Sequence, residues 1–167
     1  RLDIWHYNED YLQTQQLYQL NSEMRRSYLA ITRPGTNVVL PLGSADMELV
    51  ETVDRGNGIL ALGSTNKPYQ VQSQWQQGNL RDVYLIHTET GKRTLVSRQR
   101  RGGASLSPSG NFVVWYDWKK RHYFSYETAT GVTRNVTAAI KVPLWDEEDE
   151  HPDDPPPAGW VGWLEQE

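Results

Sequence analysis

Arg81-Asp-Val-Tyr-Leu-Ile-His-Thr-Glu-Thr-Gly91 reads as a strand that runs straight into a tight turn. The same phrase returns as Arg121-His-Tyr-Phe-Ser-Tyr-Glu-Thr-Ala-Thr-Gly131, and in looser form as Arg26-Ser-Tyr-Leu-Ala-Ile-Thr-Arg-Pro-Gly35. A short return strand follows each glycine: Val38-Val39-Leu40, Arg93-Thr-Leu-Val96 and Val132-Thr-Arg-Asn-Val136. A strand, a turn whose Gly supplies positive φ, and a return strand make a β-hairpin. A second phrase lies between the hairpins. Asp54-Arg-Gly-Asn-Gly58, Ser107-Pro-Ser-Gly110 and Pro157-Ala-Gly159 each open an apolar run, at Ile59–Leu62, Asn111–Tyr116 and Trp160–Trp163. An inner hairpin followed by an outer one is a four-stranded unit, and a unit repeated along a chain points to stacked propeller blades.

The fold class is therefore all-β. We expect a partial β-propeller of about two complete four-stranded antiparallel blades plus flanking part-blades, with one short inserted helix. Residues 51–97 and 103–137 read as blades. Residues 1–50 read as a part-blade, with Ile4-Trp-His-Tyr7 as its inner strand, and 157–167 as the start of the next blade. A closed propeller needs at least four blades, so this stretch does not close alone. The helix is expected near residues 10–24, with Asp10 as N-cap and Gln13 three residues on. Leu17, Leu20 and Met24 would share one face of it. The chain opens on Arg1 and reads as a piece of a longer protein.

Composition agrees with strands. The chain holds 7 Trp and 9 Tyr against 2 Phe and 2 Met, with 13 Gly and 9 Pro; rings with a polar edge suit half-buried pleated surfaces. Cys is absent, which excludes disulfides, thiolate nucleophiles and Cys-bound metals. No apolar run reaches membrane-spanning length. The net charge of −4 is unevenly spread: residues 145–167 carry nine acids and no Lys or Arg, leaving the rest with a mild basic excess. That excess forms no basic stripe, so nucleic acid is not an expected partner.

Specific phrases carry a family resemblance. Ser105-Leu-Ser-Pro-Ser-Gly-Asn-Phe-Val-Val-Trp115 resembles the blade signature of TolB-type propellers and of the prolyl oligopeptidase family, and Arg81–Arg93 is similar to outer hairpins of the same group. Asp3-Ile-Trp-His-Tyr-Asn8, Tyr11-Leu-Gln-Thr-Gln-Gln16 and the insertion opening Trp145-Asp-Glu-Glu148 resemble propellers of bacterial proteins related to dipeptidyl peptidase IV. The resemblance implies a propeller that caps a separate C-terminal α/β-hydrolase domain and gates peptide substrates toward its Ser-His-Asp triad. The compartment stays open, since a chain without Cys fits the cytosol and the periplasm alike, with a periplasmic or cell-envelope setting favoured over a cytoplasmic one. In dipeptidyl peptidases the propeller contributes acidic residues that hold the substrate amine; no position here is matched to that role. The alternatives are a TolB-like protein-interaction propeller without activity, or a carbohydrate-binding propeller.

The chain itself reads as non-catalytic, with no catalytic, cofactor-binding or metal site. Gly103-Ala-Ser105-Leu-Ser107 lacks the last Gly of a nucleophile elbow and leads into a strand. His6, His87, His122 and His151 match no ligand spacing. The acidic run Asp146–Asp154 lacks a spaced calcium-loop pattern and reads as a solvated, Pro-rich loop over 145–157. Trp115, Tyr116, Trp118, Tyr123, Phe124 and Tyr126 read as core between blades. Arg98-Gln-Arg-Arg101 and Lys119-Lys-Arg121 read as solvated basic turns, and Asn135-Val-Thr137 fits a glycosylation acceptor. Terminal blades with uncovered apolar faces predict self-association.

Overall fold

The computed structural model describes residues 6–76 and 78–164, and these form three antiparallel sheets and one α-helix. The first sheet pairs β1 (Ala30–Thr32) with β2 (Val39–Pro41). The second runs in order through β3 (Leu49–Thr52), β4 (Leu60–Thr65), β5 (Leu80–His87) and β6 (Arg93–Arg101). The third runs through β7 (Ala104–Leu106), β8 (Phe112–Asp117), β9 (His122–Glu127) and β10 (Thr133–Asn135). In both four-stranded sheets each strand pairs with its predecessor, so each is a simple up-and-down blade.

The repeated phrase folds in the same way twice. Gly91 (φ +68°) and Gly131 (φ +71°) hold the positive-φ position, and their amides donate to His87 O at 2.8 Å and Glu127 O at 2.9 Å. Three residues before each glycine stands a threonine. Thr88 donates its hydroxyl to Gly58 O at 3.0 Å, and Thr128 donates to Gly110 O at 2.9 Å. The amides of these two threonines donate to Ile59 O and Asn111 O, so each outer turn is fastened to the inner turn of its own blade.

The sheets stack face to face. Because side chains alternate along a strand, each blade offers two separate sets of residues. Ala61 and Ile86 face the first hairpin, where they meet Leu42 and Met47. Gly63 sits on that face, and a Cβ there would lie 2.7 Å from Ile86 Cδ1 and 2.8 Å from Met47 Sδ, so the close approach requires glycine. Leu62, Val83 and Leu85 face the other way, onto Leu106, Val113 and Trp115 of the second blade. The opposite side of the second blade, Val114, Tyr116 and Tyr123, is covered by Leu144, with Trp118 and Trp163 against it.

Several local expectations are corrected. Ile4 and Trp5 lie outside the described residues, while His6 and Tyr7 form a turn and not a strand. The helix α1 spans Gln13–Met24 and its N-cap is Leu12, without a side-chain cap bond. Asp10 does not cap the helix; the chain entering it is tied down instead by Gln16, whose side-chain amide donates to Tyr11 O at 2.8 Å and to Glu9 Oε2 at 3.0 Å. Leu17, Leu20 and Met24 are all exposed. The helix is held at its two ends instead, by Gln70 Nε2 donating to Tyr11 Oη at 2.6 Å and by the Arg26–Glu48 ion pair. Among the described residues 158–164 there is no strand; positive φ at Gly159 (+87°) and Gly162 (+146°) breaks the extended run.

Candidate functional site

The run Gly103–Ser107 lies on β7 and the turn after it. Ser105 Oγ accepts the indole N–H of Trp163 at 2.8 Å, and Ser107 Oγ accepts the Phe112 amide at 3.1 Å. Both hydroxyls are structural. Each histidine is engaged locally as well. Nδ1 of His6 accepts the Asn8 amide, Nδ1 of His87 accepts the Glu89 amide, and His122 Nδ1 lies 3.0 Å from Thr137 Oγ1. His151 pairs with Asp149, which raises the imidazole's pKa and lowers that of the carboxyl. Among the described residues no three His, Asp or Glu converge as metal ligands. Asn135 Oδ1 accepts the Thr137 amide at 3.0 Å, so the glycosylation-like triplet forms an Asx turn.

Two regions gather chemistry. The first is where the C-terminal segment meets the second blade. Trp145 and Pro157 bridge, Asp146 N donates to Pro156 O at 3.0 Å, and Ala158 N donates to Leu144 O at 2.9 Å. Residues 146–156 therefore leave and return at one point, as a strap. Arg101 holds the strap through Asp154 at 2.7 Å while its guanidinium stacks 4.2 Å from the Trp118 ring centroid. Arg121 lies 4.6 Å over Trp145. The carboxylates of Glu147, Glu148 and Glu150 make no hydrogen bond or ion pair among the described residues.

Beside the strap's base opens a cavity of about 320 Å³, lined by Ser105, Val114, Tyr116, Tyr123, Pro157 and Trp160, among others. The Tyr123 hydroxyl donates to Ala158 O at 3.0 Å, and its ring stacks on Trp160 with centroids 6.1 Å apart. Burial raises the Tyr116 and Tyr123 phenol pKa values; Arg121 offsets part of the first shift, and a backbone hydrogen bond from Trp160 part of the second.

The second region is the seam between the two blades. Arg98–Arg101 is no solvated turn: it ends β6, and Arg100 is 7% exposed. The reason is a bulge. Val83 pairs with Ser97 but Arg81 pairs with Arg100, so β6 carries one extra residue there, and Gln99 adopts φ +51°. Asp82 Oδ1 secures the bulge by accepting the Gln99 amide at 2.9 Å and the Tyr69 hydroxyl at 2.5 Å. The guanidinium of Arg100 donates to Tyr116 O at 2.5 Å and stands 4.6 Å over the Trp115 ring, while its Nε is buried with no acceptor. Burial pulls its pKa down to about 10, with Asp117 acting in the opposite sense, so it stays charged at neutral pH. Lys119–Arg121 forms the exposed β8–β9 turn, where Asp117 Oδ1 accepts the amides of Lys119 and Lys120.

No family model matches the chain, and no curated protein matches it. Among solved structures, the crystal structure of TolB from Acinetobacter baumannii is similar over 66% of this chain and 26% of its own, at 10% identity with a TM-score of 0.41. The chain thus spans about a quarter of the length of that protein. Among the described residues no helix is long and apolar enough to cross a membrane.

Proposed function

We propose that this chain is a non-catalytic propeller segment that works as a polypeptide-binding scaffold. One observation carries the reading: an aromatic cavity of about 320 Å³ adjoins a strap rich in unpaired carboxylates, with Pro157 both lining the cavity and closing the strap's base. Such a surface suits an extended segment that inserts an apolar side chain and sets a basic group beside the acids. The test is a titration of tryptophan emission with two unfolded peptides of equal apolar content, one lysine-rich and one glutamate-rich. The basic peptide is expected to quench, and Trp160→Ala to weaken that response. No response to either peptide would overturn the scaffold reading.

A second reading is favoured by the blade phrases Ser105–Trp115 and Arg81–Arg93. In it the segment gates and scaffolds peptide access to a separate α/β-hydrolase domain of a prolyl oligopeptidase-type serine peptidase, in the periplasm or cell envelope. Chromogenic dipeptide and prolyl substrates separate the readings. Hydrolysis by a longer protein containing this chain, but not by the chain, favours the gate. Hydrolysis by the chain alone would overturn both. In either reading the isolated chain is expected to self-associate, because Val38 and Val39 on the first hairpin are each 66% exposed. A monodisperse monomer in light scattering would count against that.

A further inference from the structure

Arg81 and Arg100 are direct cross-strand partners on the β5–β6 ladder. Residues opposite one another in an antiparallel pair project to the same face, and like charges so placed repel. Both arginines face the second blade: Arg100 reaches Tyr116 O and Trp115, and Arg81 lines a cavity with Leu62, Val83 and Ala104. A sheet normally offsets two such charges with a carboxylate. Among the described residues no carboxylate forms an ion pair with either guanidinium, and the Arg81 side chain makes no hydrogen bond. Arg100 is more than nine-tenths buried, and its Nε lacks an acceptor. Asp117 offsets the buried Arg100 charge only from beyond ion-pair contact, so the absence of a negative group touching the guanidinium is the feature to explain.

The cavity between the blades shows what kind of group would fit. Its volume is about 110 Å³, and its lining adds Ser64, Glu51 and the backbone of Gly102 and Gly103. Among the described residues the amides of Gly102 and Gly103 donate to no acceptor, and a Cβ placed on Gly103 would meet nothing within 4 Å, so open space lies over that backbone. At roughly 30 Å³ per water, the cavity takes three or four water volumes, enough for a carboxylate and its first carbons. Planar guanidinium groups favour the two-oxygen fork of a carboxylate. Glu51 on the same wall repels a second negative charge, which selects a monoanion over phosphate.

We infer that the cleft between the two blades binds the carboxylate of a small monoanionic ligand, with Arg81 as its direct cation, Arg100 as the buried charge behind it, and the Gly102 and Gly103 amides as further donors. The carboxylate belongs either to a free small acid or to the C-terminus of a peptide. This site adjoins the aromatic cavity, with Gly103 and Ala104 lining both, but its arginines lie outside that cavity and the site does not depend on the function proposed above.

The test is a ¹H–¹⁵N titration of the chain that follows the Gly102 and Gly103 amides and the Arg100 Nε–H signal. The probes are acetate, N-acetylglycylglycine, the C-terminal amide of that peptide, and phosphate. Acetate and the peptide acid are expected to shift all three signals; the peptide amide is not. Arg81→Gln, at a half-exposed position, is expected to weaken binding about tenfold. Glu51→Gln is expected to tighten acetate a few-fold by removing the repulsion, a change that loss of structure would not mimic. Peptide acid binding well above acetate assigns the ligand as a peptide terminus, and equal affinities assign a free acid. Unmoved signals with both acids, equal shifts from the peptide amide, or shifts insensitive to both substitutions would overturn the site and leave a cleft filled by water.

Discussion

The two faces of the second blade are built from alternate residues of the same strands, yet they are closed in different ways. The odd-numbered side chains of β8, Val113 and Trp115, meet the flat face of another sheet, and Val113 is fully buried. The even-numbered side chains, Val114 and Tyr116, meet an irregular segment that contributes Leu144, Trp160 and Trp163. Where sheet meets sheet, Leu62, Val83 and Leu85 interdigitate with Leu106, Val113 and Trp115, and the centre of the seam is dense. Where sheet meets loop, aromatic rings with polar edges do the covering, their hydroxyl and indole groups reach backbone and Ser105, and a cavity remains. The face closed by regular structure keeps only a cavity of about 110 Å³ at its edge, whereas the one closed by a loop keeps about 320 Å³ under aromatic rings.

Substitutions that treat the faces unequally break or sharpen this contrast. The largest effect is expected for Trp115→Ala, which empties the dense seam and removes the ring under Arg100; it should cost about 3–5 kcal/mol in urea unfolding. Gly63→Ala should follow, at about 1–3 kcal/mol from overpacking against Ile86 and Met47. On the loop-closed face, Trp163→Phe should cost only about 1 kcal/mol, the bond to Ser105. Thr88→Val and Thr128→Val should each cost about 1 kcal/mol, and nearly equally, since both fasten equivalent turns.

Alkaline pH separates the faces too, through Tyr123. Its folded phenol pKa is raised by burial, so the folded chain keeps a proton that the unfolded chain gives up near pH 10. The stability from this group is intact below pH 10 and is lost as pH rises through the folded value. Tyr123→Phe should therefore flatten the alkaline fall, read as unfolding midpoints at successive pH values. The smallest effect is expected from Asp154→Asn, below about 1 kcal/mol, because its ion pair with Arg101 is largely in solvent.

What could be read beforehand follows the same division. Turn phrases announce themselves because glycine and threonine sit at fixed places in a hairpin, so the blades and the single helix were legible before any coordinates. Arg100 was not. Its burial depends on one extra residue in β6, and Arg98-Gln-Arg-Arg101 carries no glycine or proline to mark a bulge. The covering role of Trp160 and Trp163 was equally hidden, because an apolar run after Gly159 looks the same whether it pairs as a strand or lies across a sheet. Leu17, Leu20 and Met24 make the converse point: apolar residues at helical spacing share a face, but spacing alone does not supply anything to bury it.

The strap's pinched base has a practical consequence. Since Leu144, Asp146, Pro156 and Ala158 close it with backbone hydrogen bonds, the residues between can be exchanged without disturbing the fold on either side. Loop-closure entropy rises only with the logarithm of length, so doubling the segment should cost about 0.6 kcal/mol. This makes residues 147–155 a natural port for grafting an epitope, a fluorophore-binding tag or a second recognition sequence onto the scaffold.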